Sequence, residues 1–333
     1  MSQPTQNDVH VNVPLSNFSL FFQQDAEGFV ADKVFPAVPV DHQSNVYYTY
    51  NRGDFNRNTV KKRAAGTESA GDGYGLNATA SYTADVYALH KDIPDQVRAN
   101  ADAMLNPDLE ATRFLSNKMM INKEITWATT YFSSSAGWTT NLTGESSSPS
   151  TNQFLQWNDA SSTPIVDVRT AKRTVALVGG GYRPNKIVLA RDVYDTLLDH
   201  PDIVERVKFA QKSQEGEAAV VAKNTLAQLF ELDEVLVMDG IINSAVEGAS
   251  ETNAYIASKG ALLVYVPDAP SIMSVASGLT FNWTGMFGAT VAGSRMLSYY
   301  MPWLGSQRTE IEAAYAQKMV APDLGCFFDS AIA

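Results

Sequence analysis

The residues that most often do chemistry are scarce in this chain. There are four histidines, His10, His42, His90 and His200, and one cysteine, Cys326. No two histidines stand four apart, and neither H-x-x-x-H nor H-E-x-x-H occurs, so the spacing offers no helical metal site. A single cysteine excludes an intrachain disulfide and a cysteine-based zinc site, and a free thiol fits a reducing compartment. No G-x-S-x-G nucleophile elbow is present. Two glycine clusters invite a phosphate reading. Gly71-Asp72-Gly73-Tyr74-Gly75 lacks the third glycine of a dinucleotide fingerprint, and Gly179-Gly180-Gly181-Tyr182 follows a helical stretch instead of a strand. Both read as turns. The acids Glu231, Asp233 and Glu234 read as a solvated strand entry. Each histidine reads as structural, and no catalytic residue, cofactor or metal is expected. One cluster stands out: Arg57, Lys61, Lys62 and Arg63 place four cations within seven positions of a chain whose net charge is −11. Such a group can meet carboxylates on a neighbour, or phosphates; the plainer reading is a loop tip kept soluble by its charge.

The elements around that cluster form an unusual series. Residues 1–45 read as an arm: Phe18, Leu20, Phe21 and Phe22 are set among Gln, Asn and Ser, and Pro36 and Pro39 hold 35–40 extended. Its apolar side chains need burial in the subunit's own body or in a neighbour. Residues 46–90 read as one long hairpin, with Val46–Tyr50 and Tyr82–Tyr87 as β-branched and aromatic strands. Some thirty polar, glycine-rich residues lie between, too long for a compact loop, so the hairpin is a flap that projects. Asn106-Pro107-Asp108-Leu109-Glu110 has the cap, first-turn proline and acids of a helix start. Phe114, Ile121, Ile125, Ala128 and Phe132 then fall on one helical face. A helix over 107–132 would be ~39 Å long. Beyond Pro164 the pattern becomes α/β, with a helix to Ala176, strands at 186–190, 234–238 and 261–266, and short helices between; Asp192 is expected to cap 193–198. Alternating stretches from Met296 to Phe328 suit a closing sheet.

At 333 residues the chain is long enough for about two compact units without disulfides or metal. Apolar residues make up 45% and charged residues 18%, a globular composition. The excess of 36 acids over 25 bases argues against a surface that grips nucleic acid throughout. The start, Met1–His10, has no basic region before an apolar core, so no signal peptide is expected. The longest apolar run, 261–266, is strand-sized, and no membrane partner is expected.

The series of arm, flap, long helix, α/β lobe and late sheet resembles the tailed-bacteriophage major capsid proteins of the Hong Kong 97 type. The local wording is similar too: Val34-Phe35-Pro36-Ala37-Val38-Pro39-Val40, Tyr50-Asn51-Arg52-Gly53-Asp54-Phe55, Arg63-Ala64-Ala65-Gly66-Thr67-Glu68-Ser69, 85–94, Arg98-Ala99-Asn100-Ala101-Asp102 and 200–208. The resemblance implies an α+β capsid fold: N-terminal arm 1–45, extended β-hairpin loop 46–90, peripheral domain 91–164 with spine helix 107–132, a mainly axial domain 165–270, and a return to the peripheral domain and closing sheet in 271–333. It implies a chain that builds hexamers and pentamers of itself into an icosahedral shell around double-stranded DNA, without sequence-specific binding, first in the host cytoplasm and then in the virion. A separate scaffold protein and a portal are expected partners, with room for a decoration protein. Phe18, Phe21, Phe22, Arg57, Lys61, Lys62 and Arg63 are the expected inter-subunit contacts, with Glu110 or Glu124 as acidic counterparts. An encapsulin-like compartment is the alternative, and a soluble α/β enzyme with a site in 165–270 a more distant one.

Overall fold

A computed structural model of the protein describes residues 24–101, 106–210, 222–271, 274–286 and 293–333. Phe18, Phe21 and Phe22 lie outside these residues. The long helix spans Pro107–Tyr131. Asn106 Oδ1 accepts the Leu109 amide at 3.2 Å, Pro107 opens the first turn, and Asp108 and Glu110 lie at its positive end. Its buried face matches the expected one only at the C-terminal end, where Ala128 and the flanking Phe132 are buried. Ala111, Leu115, Glu124, Trp127, Ala128 and Tyr131 point inward, while Phe114 is exposed beneath the ammonium groups of Lys91 and Lys118. Apolar residues occur on several sides of this helix, so the strands packed against it select the face.

Those strands form a five-stranded sheet. Ser306–Met319 is its axis: one side pairs with Ser294–Met301 and Gly278–Trp283, the other with Asp85–Pro94. Ala37–Val40 adds in parallel to Gly278–Trp283. Arg308 and Asp92 are register partners, and the guanidinium forks onto the carboxylate at 2.7 and 2.8 Å. That bidentate bond holds the Asp92 carboxyl below the usual range.

A six-stranded sheet runs in the order Gln153–Leu155, Thr140–Glu145, Gly325–Asp329, Ala261–Val264, Lys186–Ala190, Glu234–Met238. The last three are almost wholly buried, as their continuous apolar runs require when helices cover a sheet. The helix Pro164–Val178 packs across Ala261–Val264 and Gly325–Asp329. It stops at Gly179, and Gly180 and Gly181 take φ of +75° and +100°, a region open chiefly to glycine. Arg191–Leu198 starts two residues earlier than expected, so Asp192 sits within the first turn and is not its cap.

Sheet membership does not follow the expected divisions at 164/165 and 270/271. Strands from 140–155 and 325–329 join the sheet of 186–264, and Ala37–Val40 of the arm belongs to the other sheet. The hairpin also divides differently. Ser44–Tyr50 pairs with Leu76–Thr83, and the chain changes sheets at buried Ala84, sending Asp85–Pro94 to Ser306–Met319. Each half of the expected Tyr82–Tyr87 strand has its own anchor: Tyr82 stacks on Phe281 at 4.4 Å, Tyr87 on Tyr315 at 4.7 Å.

Candidate assembly surfaces

The arm's described part is built into the body. Val30, Ala31, Val34 and Phe35 are buried, with the Phe35 ring 4.8 Å from Tyr131 and 5.8 Å from Trp127. Thr280 Oγ1 donates to the Phe35 carbonyl at 2.8 Å. The short helix Ala31–Val34 has apolar Val30 at its cap position and no side-chain cap of its own. Glu124, on the long helix, supplies the cap from 94 residues away: its carboxyl accepts the Val30 and Ala31 amides. Glu124 is 1% exposed, which removes it as a counterpart for a neighbour's cations. Glu110 stays partly exposed.

The flap is the opposite case. Between its strands lie a short helix, Arg52–Phe55, and a loop whose residues from 60 to 75 are all exposed. Arg52 Nη1 bonds Asp323 at 3.0 Å and ties the base of the flap to the body. Further out, Arg57 reaches Asp54 at 3.6 Å and Arg63 donates to the Thr67 carbonyl. Lys61, Lys62 and Arg63 form no ion pair with the described residues. Among the described residues, three of the four cations therefore have no acid paired with them.

Beside them is an aromatic cluster that sequence reading missed. Tyr50, Phe55 and Tyr74 have ring centroids 5.6–5.8 Å apart, and all three are exposed, as are Tyr48, Val60 and Leu76. No local period links 50, 55 and 74. The Tyr50–Leu76 register does, with Asn51 donating to the Gly75 carbonyl at 3.2 Å. A contiguous apolar patch of this kind is unusual on a lone soluble subunit. A second exposed apolar point is Trp303-Leu304, at the turn joining Ser294–Met301 to Ser306–Met319.

His200, Cys326 and Asp167 are engaged in packing. His200 Nδ1 accepts the Asp202 amide at 3.2 Å, so Nε2 carries the proton and donates to Ser162 Oγ (2.9 Å) and the Asp159 carbonyl (3.2 Å). That tautomer cannot deprotonate Ser162, and among the described residues no carboxylate bonds the ring as a triad requires. Burial pushes the Cys326 thiol up to about 12, where it is inert. Asp167 is raised to about 6, first by burial, against a hydrogen bond from Trp157 Nε1. Among the described residues, no cluster of His, Cys, Asp and Glu is arranged to hold a metal. No helix there is long and apolar enough to cross a membrane.

No family profile matches the chain. It is 28% identical to the major capsid protein of Pseudomonas phage JBD67 over 309 residues, covering 91% of this chain and 92% of that protein. A shorter match, 31% over 61 residues and 18% of each chain, is to the major capsid protein of Burkholderia phage BcepMu. Among solved structures, a phage-related protein from Bordetella bronchiseptica superposes with a TM-score of 0.68 at 20% identity, over 92% of this chain and 94% of that one. The capsid of cyanophage P-SCSP1u follows at 0.58 and 10% (97% and 93% covered), and the Synechococcus elongatus SrpI encapsulin at 0.54 and 10% (96% and 92% covered). The arm, flap, long helix and two sheets thus define a protein of the Hong Kong 97-type capsid fold. With a sequence match running nearly end to end in both chains, it is a phage major capsid protein. That makes it a structural protein of the virion capsid.

Proposed function

We propose that the chain assembles as hexamers and pentamers into an icosahedral shell around double-stranded DNA, and that it does so without catalysis. The observation that carries this reading is the flap, which presents an exposed aromatic patch and three cations without an ion pair among the described residues. In the proposed arrangement the flap lies on an adjacent copy. The six-stranded sheet with its helices forms the axial domain, and the five-stranded sheet with the long helix forms the peripheral domain. Assembly takes place in the host cytoplasm with a separate scaffold protein and a portal, and the finished shell leaves room for a decoration protein. Negative-stain microscopy of the expressed protein, alone and with its scaffold, tests this: closed megadalton particles are expected, and a strict monomer under every assembly condition refutes it. The fold likeness to an encapsulin supports a second reading, a compartment with protein cargo. Nuclease-protected DNA in purified particles favours the viral shell, and a protein cargo without DNA favours the compartment.

The flap cations give a direct test. Lys61→Glu with Lys62→Glu is expected to leave the subunit folded and to reduce particle yield. Each exposed pair contributes only about 0.2–1 kcal/mol and is screened by salt, but the contact repeats in every copy of a multivalent shell. Particle yield by velocity sedimentation at low and high salt measures it. A reversed flap that assembles like the parent at low salt identifies the cluster as a solvated tip.

A further inference from the structure

Glu124 is the one carboxylate among the described residues that is fully buried, and it sits where the arm meets the long helix. Val30 N–H is 3.1 Å from both Oε1 and Oε2, and Ala31 N–H is 2.8 Å from Oε2. Oε2 alone can therefore hold both amides, and Oε1 can carry a proton without stripping either donor of its acceptor. We propose that Glu124 is a proton-gated latch: protonated, it keeps the root of the arm, residues 24–40, closed on the long helix, and ionised, it loosens that root.

The charged groups around it come from every element at the junction. On the arm, Asp32 pairs with Lys123 of the long helix at 2.5 Å, and Lys33 Nζ donates to the Glu27 carbonyl at 3.2 Å. Lys123 lies over the Tyr315 ring of Ser306–Met319, 5.2 Å from its centroid. Gly278–Trp283 contributes no ionisable side chain. Beyond Gly28, Asp239 accepts from Arg191 at 3.2 Å. Lys123 is thus committed to Asp32 and Lys33 to the Glu27 carbonyl, and neither forms a salt bridge with Glu124, although the Lys33 charge tempers the rise of its carboxyl. Burial, opposed by the two amide bonds and assisted by Asp32, raises the carboxyl from 4.5 to about 7. The sign follows. The closed arm binds the proton more tightly than the open arm, whose Glu124 faces water. The latch is therefore tightest below the ordinary carboxyl value and weakens as pH rises through about 7. Closure falls about tenfold between pH 6 and pH 8 for a shift of this size.

Amide hydrogen exchange of the full-length protein, corrected for intrinsic rates, reads this at Val30 and Ala31. Their protection is expected to drop about tenfold from pH 6 to pH 8 in the parent. Glu124→Gln, which still accepts both amides through its carbonyl oxygen, is expected to show protection that does not change over that range. Asp32→Asn removes the assisting charge and frees Lys123, so it is expected to move the midpoint to lower pH. Parent protection that is flat between pH 6 and 8, or a Gln variant with the parent's pH profile, overturns the proposal. Should Glu124→Gln fail to fold, Asp32→Asn decides alone: an unmoved midpoint overturns the latch.

Discussion

Phe35→Ala is expected to destabilise the subunit by about 3–5 kcal/mol, the range for emptying a packed aromatic site. The ring is completely buried, edge-on to Trp127 and tilted onto Tyr131. It therefore joins three elements at once: the arm, the long helix and the sheet. Its fourth wall is Gly278, where an added Cβ would stand 2.3–2.6 Å from the ring. Gly278→Ala is accordingly expected to be nearly as harmful, through steric conflict alone. The two changes should not add: alanine at 35 vacates the space that alanine at 278 needs. Urea unfolding of the two single variants and the double variant measures the coupling. Strict additivity, or a loss below about 1 kcal/mol for Phe35→Ala, contradicts this packing.

Two truncations of the arm are expected to part company. Removing residues 1–23 deletes Phe18, Phe21 and Phe22, and the subunit is expected to stay folded while assembly suffers. Removing residues 1–34 is expected to leave the subunit unfolded or insoluble. That cut takes away Val30, Ala31 and Val34, all at most 3% exposed, and each valine contributes about 1.5–3 kcal/mol of burial. It also leaves Glu124 facing an emptied groove with neither amide. Against a total stability of about 5–15 kcal/mol, these losses decide the fold. From sequence, a cut before Phe35 is expected to harm assembly more than folding; the burial of 30–34 in the subunit's own core reverses that expectation. Far-UV circular dichroism and size-exclusion chromatography of the two truncated chains separate the cases. A folded, soluble 35–333 chain contradicts this reading.

Elements whose signals are local were legible in the residues themselves. Asn106-Pro107 marks a helix start because a cap acceptor and a fixed φ act within one turn, and the Pro164 helix shares the fixed φ, although Thr163 makes no side-chain cap bond. The apolar runs at 186–190, 234–238 and 261–266 announce covered strands by their shortness and β-branched content, and the last of these strands ends at Val264. The order of these elements, with its resemblance to phage capsid proteins, carried the fold and its class. The cations at 57–63 were visible as a run, but that 61–63 find no ion pair among the described residues was not.

Tertiary structure alone decided which partners these elements take. The long helix has apolar residues on several faces, and only the sheet beneath determines that Leu115, Trp127 and Tyr131 turn inward while Phe114 turns out. Pairing of Gly325–Asp329 with Thr140–Glu145 joins residues nearly 190 positions apart, a separation at which one sequence holds no periodic signal. Likewise Tyr50, Phe55 and Tyr74 become a patch only when the hairpin closes. Glu124 shows the limit most plainly. In sequence it is one more acid on a helix, a natural surface residue; in the folded subunit it is a buried cap for a helix 94 residues away. Propensity and capping act over a few residues, whereas burial and charge environment depend on what the rest of the chain brings to the site.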